Sequence, residues 1–313
     1  MTDILLLLAG MTLLYVGGER LIDDASEMAR RLGMSSVVVG LTVVAFATSS
    51  PELAASLAAA LTGTPDVAFG NVVGSNIANL GLILGATALV APLLAAGRFL
   101  TRELPLLLGA SLGAVAVVLD GRIGRIDATL LLLGLGFYVW WLLRDRPRES
   151  RAVEAEFEAE YGESTKPLWK SALGVTIAVV LLVLGARLLV LGAVGIARDA
   201  GVSDRVIGLT VVALWTSLPE LVGSIAATLK KEPDIALGNL VGSNVFNLLL
   251  ILGTTALVHP LTVEPVGALV DLAVMLGFTV VIWPFLWSRL RIGRIEGAVL
   301  LLGYAVYIAA LFA

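Results

Sequence analysis

The chain has no cysteine, which removes disulfides, thiolate metal sites and cysteine nucleophiles and leaves the redox compartment unread. It has one histidine, His259, beside Pro260 at an expected helix end, where a solvated loop position is the reading and no imidazole metal site can be assembled. Charged residues are only 15% of the chain, and the net charge of −4 offers no basic surface for nucleic acid. No basic residue precedes the first apolar run in MTDILLLLAG, so the positive n-region of a signal peptide is missing and the run reads as a first membrane helix. What is abundant is apolar: 58% hydrophobic residues and a mean hydropathy of +0.96 are the composition of a polytopic membrane protein.

A window of about 20 apolar residues gives ten candidate spans, near 4–31, 36–62, 66–91, 101–119, 126–143, 169–198, 204–229, 234–258, 264–287 and 295–312. The only long polar interruption, residues 144–167, has mixed charge and reads as a connector between residues 1–143 and 168–313. Fifteen lysines and arginines gather near the loops at 30–35, 92–102, 144–170, 230–233 and 288–294, against Arg122, Arg125, Arg198 and Arg205 on the other side. By the positive-inside rule the connector is cytoplasmic and both termini face outward, in the cell (inner) membrane. Arg20 and Arg187 fall partway along long helices, where snorkelling or a nearby acid accounts for them.

The stretch GLTVVAFATSSPELAASLAAALTGTPDVAFGNVVGSNIANLGLILGATALVAP from Gly40 aligns without a gap with GLTVVALWTSLPELVGSIAATLKKEPDIALGNLVGSNVFNLLLILGTTALVHP from Gly208. About two-thirds of the positions are identical. One repeat step contains five spans, an odd number, so corresponding helices must cross in opposite directions. The expected fold is an all-α polytopic membrane protein of ten transmembrane helices in two inverted five-helix repeats. In such architectures the binding site lies near the midplane between the halves.

The matching polar positions say what could bind. Each repeat has a Thr-Ser-x-Pro-Glu segment, Thr48 to Glu52 and Thr216 to Glu220, followed by Gly-Ser-Asn-x-x-Asn, Gly74 to Asn79 and Gly242 to Asn247. A carboxylate in mid-membrane costs roughly 2.5–3.5 kcal/mol on the gentlest scale, so Glu52 and Glu220 need compensation. Pro51 and Pro219 lack an amide hydrogen and should break each helix, freeing carbonyls around Ala45 to Thr48 and Ala213 to Thr216. Ser49 and Ser217 can lie on the side of the following glutamate, and Ser75 with Asn79, like Ser243 with Asn247, shares one helix face. Gly74 and Gly242 permit a kink or a close backbone approach. This donor set is all oxygen. It suits Ca²⁺, which takes about six to eight oxygens in flexible geometry, better than Mg²⁺. Two carboxylates balance one divalent ion, and once it leaves they need other cations or protons.

These paired segments resemble the alpha repeats of the Ca²⁺/cation antiporter superfamily, closest to its prokaryotic sodium/calcium exchangers, and the likeness covers nearly the whole chain. The resemblance implies that the second, third, seventh and eighth helices form the ion site while the long first and sixth slide across it. It implies Glu52 and Glu220 as principal Ca²⁺ ligands, helped by the Thr48 and Thr216 carbonyls. Sodium would use the Ala45 carbonyl, Ser49, Ser75 and Glu52 on one side, and the Ala213 carbonyl, Thr216, Ser217, Ser243 and Glu220 on the other. Asn79 and Asn247 would complete the centre. Cofactors beyond the transported Ca²⁺ and Na⁺ are not implied, and the expected partner is the lipid bilayer.

The chain departs from the family pattern at Ala47 and Trp215, where many members have glycine before the Thr-Ser pair. Asn247 resembles the potassium-independent type, since potassium-carrying members have Asp there. The implied activity is Na⁺/Ca²⁺ antiport that normally extrudes Ca²⁺. A Ca²⁺/H⁺ antiporter is the second reading. An intramembrane hydrolase using the glutamates as acid and base fits acids that occur once per inverted half less well, and a channel is conceivable, against which saturable exchange with a counter-ion would argue.

Overall fold

In a computed structural model, residues 2–32, 34, 36–63, 65–144, 167–199 and 217–311 are described. They form α1 (Thr2–Leu32), a bent pair α2a (Val37–Thr48) and α2b (Ser50–Leu61), α3 (Pro65–Val90), α4 (Phe99–Val118) and α5 (Arg125–Arg144). The second half contributes α6 (Leu168–Asp199), α7 (Leu218–Leu229), α8 (Pro233–Val258), α9 (Pro265–Arg289) and α10 (Arg294–Leu311). Eight of these helices are long and apolar enough to cross a membrane, and the bent pair brings the number to nine among the described residues. Of the expected span 204–229 the structure describes α7 and Ser217, and the rest lies outside the described residues, as does most of the 144–167 connector.

Burial separates core from periphery. The span windows of α3 and α8 are 78% and 94% buried, against 22% in α5 and 11% in α10. An α-helix apolar on every face belongs inside, and only these two also carry the Gly-Ser-Asn segments. The outer helices turn Leu133, Phe137, Leu302 and Val306 outward, as a chain solvated by lipid should.

α1 and α6 are 31 and 32 residues long, about 46–48 Å at 1.5 Å per residue. That exceeds a hydrocarbon layer of about 30 Å, so both must tilt. They pack antiparallel: Gly10 faces Gly185 and Leu189, Gly17 faces Ala178 and Leu182, and Gly192 faces Asp3 and Leu7. A Cβ on Gly10 would come within 2.6 Å of the Leu189 amide nitrogen, and one on Gly185 within 2.8 Å of that of Leu14. In lipid, where apolar burial does not drive helices together, such close backbone approach supplies the dispersion contact that does.

Four two-residue strands tie the halves together. β1 (Leu93–Leu94) pairs antiparallel with β4 (Arg291–Ile292), and β2 (Arg122–Ile123) with β3 (Leu261–Thr262). β1 and β3 occupy matching places after α3 and α8, so each half's first strand pairs with the other half's second. The turns before α5 and α10 are built alike. Gly124 N–H donates to Asp127 Oδ2 at 2.8 Å, and Gly293 N–H donates to Glu296 Oε2 at 3.0 Å, satisfying orphan amides at each helix start. Of the two stray arginines, Arg20 meets Asp24 at 3.5 Å one turn on, and Arg187 is exposed. His259 is exposed just past α8, as its loop position suggests.

Candidate cation site

The break in the second span falls at Ser49, whose backbone (φ −82°, ψ 2°) leaves helical geometry and turns α2b by 43° from α2a. Ser217 has the same conformation, φ −90° and ψ 3°, before α7. Pro51 and Pro219 sit in the first turn of the new helix, where a missing amide hydrogen costs nothing. Glu52 and Glu220 therefore lie in the first turns of α2b and α7. There the positive end of a half-helix favours a negative side chain by about 0.3–1 kcal/mol.

Both glutamates are buried, each 1% exposed, and Glu52 feels the charge of Glu220 across the site. Ser49 donates its hydroxyl to Glu220 Oε1 at 3.2 Å, so the serine reaches the carboxylate of the other half instead of its neighbour Glu52. The reason is local: with ψ near zero, Ser49 is out of the helical register that would put it on the Glu52 face. Thr48 Oγ1 donates to Asn239 Oδ1 at 3.1 Å and lies 3.4 Å from Ser243 Oγ, again crossing between halves.

The simple expectation of a bare Ala45 carbonyl needs correction. It accepts from Ser49 N–H at 3.0 Å, and Thr48 Oγ1 lies 3.4 Å from it. Proline removes only the donor at its own position, opposite the carbonyl four residues before it, and Ala45's partner is untouched. Thr48, Ser49, Glu52, Ser75, Asn79, Ser217, Glu220, Ser243 and Asn247 are all buried. Ala213, Thr216 and Trp215 lie outside the described residues.

α3 and α8 each contain one π-helical turn, and each begins on the site asparagine: Asn79–Ile83 and Asn247–Ile251. Such turns shift the register of the helix beyond them and recur at functional sites. Asn79 Nδ2 donates to Asn244 Oδ1 at 2.9 Å, and Asn244 Nδ2 to the Asn76 carbonyl at 3.3 Å. The close approach expected at Gly242 is present. A Cβ there would stand 2.6 Å from the Leu41 carbonyl oxygen, so α2a rests on α8 backbone to backbone.

Glu52 Oε2, Glu220 Oε2, Asn79 Oδ1 and both polar atoms of Asn247 are buried without a hydrogen-bond partner among the described residues. Among the described residues no cationic side chain pairs with either glutamate. Buried polar atoms are almost always satisfied, and an uncompensated buried charge costs several kcal/mol. Four such oxygens, two of them from carboxyl groups, with serine and threonine hydroxyls nearby, make a donor set for a hard cation. Among the described residues it contains no imidazole, thiolate or cluster of three acids.

Sequence reasoning passed over the shell that holds these groups. Asn71 Nδ2 donates to the Glu52 carbonyl at 3.2 Å and to Ser56 Oγ at 2.9 Å. Asn239 Nδ2 donates to the Glu220 carbonyl at 3.4 Å and to Ser224 Oγ at 3.0 Å. Asn76 and Asn244 form a further matched pair. Their signal was in plain view, because the same residue types stand at matching positions of the two repeats.

Comparison with known proteins gives a consistent result. Residues 2–144 and 170–313 match the family model described as sodium/calcium exchanger protein. The inner membrane protein YrbG of Escherichia coli is 37% identical over 98% of this chain and 96% of its own. The sodium/calcium exchanger MaX1 of Methanosarcina acetivorans is 31% identical over 99% and 98%. The structure of the sodium-calcium exchanger NCX_Mj soaked with 10 mM Na⁺ and zero Ca²⁺ is similar with a TM-score of 0.85, at 31% identity and covering 99% of each chain.

Proposed function

Because the chain belongs to the sodium/calcium exchanger family, we propose that it is a secondary antiporter of the cell membrane. It exchanges Na⁺ for Ca²⁺, normally extruding Ca²⁺, by alternating access around a midplane site built on Glu52 and Glu220. The observation that carries this reading is the two buried glutamates, each with one carboxylate oxygen that has no partner among the described residues and neither paired with a basic side chain there. One Ca²⁺ neutralises both carboxylates. When it leaves, other cations must replace it, because two bare carboxylates in a low-dielectric site repel each other and lack solvation. Net movement of an empty site is thereby disfavoured, which is the condition for obligatory exchange. The hydroxyls of Ser49, Ser75, Ser217 and Ser243 and the carbonyls at Ala45, Thr48, Ala213 and Thr216 supply the extra oxygens that Na⁺ needs, the Ala45 carbonyl through the lone pair its bond from Ser49 N–H leaves over, with Asn79 and Asn247 at the centre.

The proposed architecture is ten spans in two inverted halves, 1–143 and 168–313, with the 144–167 connector and both ribbon-forming loops at 92–98 and 289–293 cytoplasmic and both termini outside. Three observations support it. α1 and α6 run antiparallel, the strands pair reciprocally between halves, and the loops joined by each ribbon fall on the same side by their lysine and arginine content.

The test is Ca²⁺ flux into sealed proteoliposomes with Na⁺, K⁺ and pH gradients imposed one at a time. A Na⁺ gradient should drive Ca²⁺ flux, and Glu52→Gln or Glu220→Gln should abolish it while the protein stays folded. Flux driven by a pH gradient with no Na⁺ requirement selects Ca²⁺/H⁺ exchange instead. Wild-type flux in either glutamine variant removes that residue from the mechanism.

A further inference from the structure

The glutamates sit at the first turn of short half-helices, directly after a backbone break, and nothing in the break itself fixes how each half-helix is rotated about its axis. Rotation decides where the carboxylate points. One side chain in each half reads that rotation. Asn71, on α3, donates one amide hydrogen to the Glu52 carbonyl (3.2 Å) and the other to Ser56 Oγ (2.9 Å). Asn239, on α8, does the same to the Glu220 carbonyl (3.4 Å) and Ser224 Oγ (3.0 Å). Glutamate and serine are four residues apart in both cases, one above the other on a single helix face. A fork that grips both positions therefore fixes the azimuth of the half-helix as well as its distance. Glu52 O and Glu220 O already face an amide of their own helix, so the fork uses the second lone pair of each carbonyl.

Asn239 has a further link. Its Oδ1 accepts from Thr48 Oγ1 at 3.1 Å, so the break in the first half is tied to the half-helix that carries Glu220 in the second. Asn239, Ser56 and Ser224 are each fully buried. Water therefore does not compete for the Asn239 bonds, whereas Asn71 is half-buried.

We propose that Asn71 and Asn239 are positioning residues for the transported ion: each clamps the glutamate-bearing half-helix in the orientation that aims its carboxylate at Ca²⁺. This rests on the exchanger reading above and deepens it. Neither asparagine needs to touch the ion. Their loss should show as a carboxylate aimed less well, a weaker site that still turns over when filled.

The experiment measures Ca²⁺ half-saturation and maximal flux in proteoliposomes, with thermal midpoint in detergent alongside. For Asn71→Ala and Asn239→Ala the half-saturation concentration should rise about five- to tenfold, the size of one to two ordinary hydrogen bonds, with maximal flux largely kept. Asn71→Asp preserves shape and the contact to Ser56 but places an oxygen against the Glu52 carbonyl, and should shift half-saturation at least as much as alanine. Ser56→Ala and Ser224→Ala remove only the second prong, so they should fold normally and shift it in the same direction by less. The double variant Asn71→Ala with Ser56→Ala should be no worse than Asn71→Ala alone. Unchanged half-saturation in the asparagine and serine variants, beside an active wild type, overturns the clamp. So does full additivity of the double variant. A wild type that moves no Ca²⁺ under any gradient instead overturns the exchanger reading itself.

Discussion

Gly242→Ala tests whether backbone contact between α2a and α8 sets the geometry of the site. The added methyl would sit 2.6 Å from the Leu41 carbonyl oxygen, 2.7 Å from Leu41 Cα and 2.8 Å from the Ala45 Cβ. None of these atoms is the free end of a flexible side chain, so the two helices must part by about 0.8 Å to regain ordinary contact. Thr48 lies one turn beyond Ala45 on α2a, and its hydroxyl bond to Asn239 is 3.1 Å long. A displacement of that size carries it past hydrogen-bonding range. Overpacking costs about 1–3 kcal/mol, and a lost buried bond adds about 1 kcal/mol, against a gain of about 1 kcal/mol from replacing a helical glycine. The net expectation is a destabilisation of about 1–3 kcal/mol together with a several-fold weaker Ca²⁺ half-saturation. Gly223→Ala is the control. Its Cβ would meet Leu21 Cδ2 at 3.6 Å and Asn239 Nδ2 at 3.8 Å, ordinary contact distances, so it should keep or raise the thermal midpoint and leave flux alone. Thermal unfolding in detergent and Ca²⁺ flux in liposomes measure both. If Gly242→Ala behaves like Gly223→Ala in the two assays, the close approach does not position the site.

Asn247→Leu removes a buried amide whose polar atoms lack partners among the described residues, so it should leave stability unchanged or higher by about 1–3 kcal/mol while Na⁺-driven Ca²⁺ flux falls steeply; retained flux would take Asn247 out of the centre. Ser49→Ala strips the 3.2 Å donor from Glu220 Oε1 and should weaken Na⁺ activation of flux several-fold with little change in folding, and an unaltered Na⁺ dependence counts against it as a ligand. Lys230 Nζ meets Asp23 Oδ1 at 2.6 Å and Glu19 Oε2 at 3.6 Å where α1 crosses the end of α7. Because the Asp23 side chain is 61% exposed, Lys230→Met should cost under about 1 kcal/mol; a larger drop in thermal midpoint that vanishes in high salt would refute that.

The break before Pro51, the non-helical Ser217 before Pro219 and the burial of Glu52 and Glu220 were readable, because each is a local anomaly in an apolar run and its residues appear twice. Loop charge likewise grouped 92–102 with 288–294, and the ribbon between Leu93–Leu94 and Arg291–Ile292 joins those loops. Pairing across the halves was not readable. Ser49 was expected beside Glu52 and instead donates to Glu220, since a helical spacing rule cannot anticipate a residue whose ψ has left the helix. The π-helical turns at Asn79 and Asn247 were hidden for a related reason: nothing in NLGLI or NLLLI breaks helical composition. Asn71 and Asn239 look like ordinary buried amides until the carbonyl of a glutamate appears opposite each.

The reciprocal strand pairing has a consequence for how the chain is assembled. Since the ribbon after α3 borrows its partner from the stretch before α10, and the ribbon before α5 borrows its own from the stretch after α8, neither half can close its hydrogen bonds by itself. Two fragments severed between α5 and α6 would still be clasped at both faces of the bilayer, and each fragment made without the other would be left with unmet strand edges at its two ends.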